Sequence, residues 1–133
     1  MKKEINIWNI LHDGEITVIE KNMDGLYIIF VNIPYLRKRI SPLGDSIVLI
    51  LSNVKKLLFK DLEGIESVLA DELESTNLHI LYTESISMPI LVETTAGTLI
   101  LDYDKIDLKL DTGQSLEYEK VELICREYWN KHN

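Results

Sequence analysis

The chain has 133 residues, 46% of them hydrophobic, with a single cysteine, which fits one domain (1–133) burying a core without a disulfide. Its 14 Lys and Arg against 22 Asp and Glu give a formal net charge of -8, an excess that disfavours attraction to nucleic-acid phosphates or anionic lipid. No apolar run approaches the roughly 20 residues that a membrane-spanning helix needs, and the lone Cys125 fits a reducing compartment.

Lys2 and Lys3 open the chain like a secretory leader, but Glu4, Asn6 and Asn9 interrupt any apolar stretch and no small-residue cleavage site follows. The expectation is a soluble cytoplasmic protein. Residues 15–20 and 26–33 read as the first strand pair, with Asp24-Gly25 supplying a tight turn. The second of these is apolar on both alternating faces, which places it inside a layered structure, and Pro34 ends its ladder. After the basic run Tyr35-Leu36-Arg37-Lys38-Arg39 and a turn at 41–45, a hairpin is expected from Ile47–Leu51 through a Ser52-Asn53 turn to Val54–Phe59. Lys55, Lys56 and Lys60 suggest that its second strand is an exposed edge.

Residues 61–76 carry Ile65, Val68, Leu69 and Leu73 at helical spacing, so helix or irregular structure is expected there. Strands follow at 78–84, 90–95 and 98–103, the last two joined by Ala96-Gly97. Ile106 to Leu110 alternates as a half-buried strand, and Asp111-Thr112-Gly113 stops it. The chain closes with an amphipathic helix over 117–131, in which Val121, Ile124, Cys125, Tyr128 and Trp129 form one stripe and Ser115 is the expected N-cap. The fold class is therefore mainly β (α+β): an antiparallel sheet or sandwich of seven to eight strands covered by a C-terminal helix.

No catalytic, metal or cofactor set emerges from the sequence. His12-Asp13 lacks the further ligands of a metal site, since the other histidines are His79 and His132. His79 alternates with apolar neighbours in a strand and has no visible partner. The acids from Asp102 to Asp111 fail the calcium-loop pattern, because Ile106 and Gly113 stand where ligands are required, and a hairpin with solvated acids accounts for them. Cys125 lies on an apolar stripe and behaves as a small hydrophobe. Two surface features remain. The acidic run Asp61, Glu63, Glu66, Asp71, Glu72 and Glu74 has no basic residue within 61–76 and suits a basic protein partner. Tyr35 and Arg37 are residue types favoured as interface anchors.

The opening Leu11-His12-Asp13-Gly14-Glu15-Ile16, followed by strands on either side of Asp24-Gly25, resembles that of small bacterial β domains that begin with a His-Asp-Gly or His-Asp-Ala turn. Tyr128-Trp129 in the closing helix adds to the likeness. Some families with this opening resemble immunity proteins, which neutralise a toxin by binding it; others are uncharacterised. With the acidic run and the absent catalytic set, this resemblance leads to the expectation of a non-enzymatic protein-binding module, most concretely an immunity-type inhibitor that presents acidic side chains to a basic toxin. The alternative is a small-molecule-binding or accessory β domain with its ligand between sheet and helix, and an enzyme would need His12, Asp13 and other acids to gather in one cleft.

Overall fold

The computed structural model describes residues 2–68 and 78–131. Among them are three helices, α1 (Lys3–Ile10), α2 (Pro34–Arg37) and α3 (Tyr118–Lys131). The strands are β1 (Glu15–Lys21), β2 (Tyr27–Asn32), β3 (Ser46–Ser52), β4 (Lys56–Asp61), β5 (Glu66–Val68), β6 (Leu78–Thr83), β7 (Ile90–Thr94), β8 (Gly97–Asp102), β9 (Lys105–Leu110) and β10 (Ser115–Leu116). The expected antiparallel architecture and closing helix are present. The strand count exceeds the expected seven to eight: nine strands have three or more residues, and β10 has two.

All pairings are antiparallel, in the order β10-β9-β3-β2-β1-β6-β7-β8-β4-β5. The sheet divides into two halves joined by a short seam, where only Glu15–His79 and Ile16–Leu78 pair across β1 and β6. A second connection lies at 52–56 and 102–105. β3 and β4 do not pair with each other, so the expected hairpin over 47–59 is corrected. Each instead pairs with one of the consecutive strands β9 and β8. Ser52-Asn53 is thus a corner, where one long ladder passes between halves, with Asn53 at a φ of 53°. Lys55 N–H to Asp102 O (2.7 Å) and Asp104 N–H to Ser52 O (3.1 Å) hold the bend. The acids around Asp104 likewise sit at this corner and not in a hairpin. β3 is central, and β4 is flanked by β8 and β5, so neither is an edge. Glu66–Val68 is strand, which overturns the helical reading there; residues 69–76 of that reading lie outside the described residues.

α1 was not expected from the sequence. Its Ile5, Ile7, Trp8 and Ile10 are buried on more than one side, so it lacks the single apolar stripe that identifies a surface helix. These residues and Leu11 share one core with the inward residues of both half-sheets, including Ile29, Leu49, Leu99 and Leu101. The asparagines that break the apolar run are satisfied within the fold. Asn9 spans the Thr83 backbone, accepting from its N–H at 2.9 Å and donating to its carbonyl at 3.2 Å, while Asn6 donates to the Tyr118 hydroxyl at 2.6 Å. α3 packs against α1 and α2 with Val121 and Cys125 buried. Ser115 belongs to β10 and does not cap α3.

Candidate functional site

The His-Asp-Gly turn joins three elements. α1 ends at Ile10, and Asp13 turns the chain with a φ of 68°, a conformation that aspartate tolerates better than most residues. Asp13 N–H donates to Ile80 O at 2.7 Å, and Ile80 N–H returns a bond to Gly14 O at 2.9 Å. The turn therefore begins the seam between the two half-sheets. A Cβ on Gly14 would lie 2.6 Å from Val31 Cγ1 and 2.9 Å from Leu11 O, and the second of these is backbone that has little room to move. Gly14→Ala should therefore cost about 1–3 kcal/mol. Thermal or urea unfolding checks this, and an unchanged midpoint would contradict the tight packing.

The turn also meets the closing helix. His12 Nδ1 lies 2.7 Å from Asn9 O, so this nitrogen carries the proton and donates. The ring stacks on Trp129 with centroids 4.9 Å apart. Tyr35 donates through its hydroxyl to His12 O at 2.9 Å and packs on Tyr128 at 4.9 Å, while Arg39 lies 4.7 Å over the Tyr128 ring. Burial pushes the Tyr35 phenol well above its ordinary range, with smaller contributions from Cys125 and Asp13, so it remains a donor. The buried Trp129 indole N–H finds no hydrogen-bond acceptor among the described residues. Burial raises the Cys125 thiol, which suits its place in the apolar packing. The two sequence features of the resemblance, His12-Asp13-Gly14 and Tyr128-Trp129, are thus in contact, and both serve as joints of the fold.

The proposed surface anchors separate. Tyr35 is half-buried in this aromatic corner, its hydroxyl taken up by His12. Arg37 is corrected: it is fully buried and unavailable to a partner. Its guanidinium donates to Asp111 (Nε 3.0 Å, Nη2 2.8 Å), Ser46 O (3.1 Å) and Ser41 O (3.1 Å). Asp111 in turn accepts from the Asp45 and Ser46 N–H groups at 3.0 and 3.1 Å. Burial by itself would raise the Asp111 carboxyl, but the Asp45 N–H, Arg37 and the Ser46 N–H outweigh it and hold the group below its usual range. His79 has a partner that the sequence did not reveal, Glu15 across the seam at 3.2 Å, with both side chains part-exposed.

Of the acidic run, Asp71, Glu72 and Glu74 lie outside the described residues. The others build the β4–β5 hairpin. Asp61 is structural: its Oδ1 accepts from the N–H groups of Glu63 and Ile65, both at 2.9 Å, an Asx-type turn. The tip then presents Glu63 and Glu66 with two large apolar side chains, Leu62 (80% exposed) and Ile65 (61%). In the sequence the acids stand out as charge, whereas Leu62 has no pattern and Ile65 fits a helical stripe, so neither signals an exposed tip. Glu66 stands opposite Lys60 across the pair, which tempers its charge.

A separate cleft of about 490 Å³ lies among α1, the β9–β10 pair and the start of α3, lined by Lys3, Ile7, Ile106, Leu108, Leu116 and Tyr118 among others. Among the described residues no three His, Cys, Asp or Glu side chains gather as a metal set, and no helix is long and apolar enough to cross a membrane. Compared with protein-family models, curated proteins and solved structures, the chain matches none.

Proposed function

We propose that this chain is a cytoplasmic, non-enzymatic protein-binding module, and most concretely an inhibitor of the immunity type that neutralises a basic toxin. The observation that supports it is the β4–β5 tip, where Leu62 and Ile65 stand in solvent beside Glu63 and Glu66. Large apolar side chains left exposed together mark interaction sites. Apolar contact would supply the affinity, and the surrounding acids would speed encounter with a basic surface and select it. The net charge of -8 acts in the same direction.

Co-purification from the native cells at low and high salt tests the reading. A basic partner should be retained at low salt and weakened at high salt. Expressed alone, that partner should arrest growth, and co-expression of this chain should relieve the arrest. A stoichiometric partner that is neither basic nor toxic would contradict the inhibitor reading.

The cleft among α1, β9–β10 and α3 favours a second reading, a small-molecule-binding or accessory β domain. Ile7, Ile106, Leu108 and Leu116 line it together with a larger set of polar and charged groups, among them Lys3, Asp107, Lys109 and Glu119, so a ligand there would be a polar or charged small molecule.

A further inference from the structure

The sheet carries a second apolar face. Cα partners across β1, β2, β3 and β9 place Val18, Phe30, Val48 and Lys109 in one row and Glu20, Ile28, Ile50 and Asp107 in the next. Side chains in one such row share a face, and the alternating residues Ile29, Val31, Ile47, Leu49 and Leu108 all enter the core. Val18, Ile28, Phe30, Val48 and Ile50 stand outside that core cluster, on the opposite side of the sheet. Val18 is 40% exposed, Ile28, Phe30 and Ile50 are half-buried, and Val48 is buried; Ile50, Asp107 and Lys109 also line the cleft beside the start of α3. A strand apolar on both faces belongs between two layers. Among the described residues only one layer is present.

We infer that this face is covered by a second copy of the same chain, packed sheet to sheet about a two-fold axis. The charges select that occupant. A two-fold axis lying across the strands, between the two rows, maps each row onto the other. Phe30 and Val48 of one copy then meet Ile28 and Ile50 of the next. Asp107 of one copy meets Lys109 of the other, and the reverse pair repeats the contact, as an isologous interface requires. Asp107 is exposed and its contact with Lys105 in its own chain is long, 3.8 Å, so it is free to turn towards Lys109 of the second copy. Glu20, the remaining acid in the rows, faces Val18 and meets no like charge. An axis along the strands would instead set Glu20 against Asp107. The inference does not depend on the proposed inhibitor role, which rests on the β4–β5 tip in the other half-sheet.

The test is the mass of the purified chain by light scattering and sedimentation across a concentration series. The wild type should dimerise. Asp107→Lys and Lys109→Asp should each raise the dimer dissociation constant by about tenfold or more, and the double swap, which restores both pairs in reverse, should recover most of the loss. Phe30→Lys should give a monomer, with circular dichroism confirming that it stays folded. A wild type monomeric throughout the series would overturn the inference. A dimer indifferent to all four variants would do the same. Loss of a different protein's binding on Phe30→Lys, with the wild type monomeric, would assign the face to that protein instead.

Discussion

Arg37→Ala should destabilise the fold by about 3–5 kcal/mol, the range for breaking a buried ion pair from one side. The cost comes from what is left behind. Asp111, only 17% exposed, would lose its cation, the Ser41 carbonyl would lose its guanidinium donor, and the Ser46 carbonyl would keep only the longer bond from Asp111 N–H at 3.3 Å. Lysine should not rescue the loss, because a point charge cannot replace the planar fork that reaches Asp111, Ser41 and Ser46 at once. Gly44 sets how closely the pieces fit, since a Cβ there would lie 2.3 Å from Asp111 Oδ1 and 2.6 Å from Arg37 Nη2. Urea unfolding measures the effect, and a loss under about 1 kcal/mol would mean that the network is slack. The same network predicts acid sensitivity. Asp111 is held below its unfolded value, so its contribution is present above roughly pH 4 and is lost as pH falls through the lower folded value. Asp111→Asn should be less stable near neutrality but should flatten the decline below about pH 4.

Trp8→Ala is the second large effect, expected at about 3–5 kcal/mol. Trp8 is fully buried on α1, where it fills the core shared by the two half-sheets. Its indole N–H donates to the Tyr103 hydroxyl at 2.9 Å, and that hydroxyl donates onward to the Glu4 carbonyl. Burial pushes the Tyr103 phenol well above its ordinary range, so it stays a neutral donor. Tyr103→Phe should cost about 1–3 kcal/mol, because it orphans the indole N–H and takes one of two donors from the Glu4 carbonyl. The double mutant should then cost less than the sum, since both substitutions remove one hydrogen bond. Strict additivity in urea unfolding would contradict that linkage.

Legibility in the sequence followed the range of the forces involved. Local patterns were readable: the alternation of Ile106 to Leu110 is β9, and the stripe Val121, Ile124, Cys125, Tyr128 and Trp129 lies on α3. Partner choice among strands was not readable. β3 and β4 look like a hairpin because they are adjacent and apolar, yet each finds its neighbours through residues about fifty positions away. α1 was hidden because burial on several sides erases periodicity. Arg37 shows the same limit at a single position. Its neighbours in the chain are those of an exposed basic loop, and only Asp111, 74 residues on, explains why it is buried. At the candidate site the acids Glu63 and Glu66 were legible as charge. Leu62 and Ile65 became meaningful only when the β4–β5 pairing set them at a tip, since exposure is a property of the fold and not of the residue.

The proposed binding at the β4–β5 tip depends on Leu62 and Ile65. Titration calorimetry of the co-purified partner against the wild type and the double variant Leu62→Asp, Ile65→Asp tests it most directly. Both side chains are already in solvent, so the variant should fold normally. Its affinity should fall by at least about tenfold, as for the loss of interface hot spots. Equal affinity for the two proteins would contradict it and move the binding surface elsewhere on the sheet.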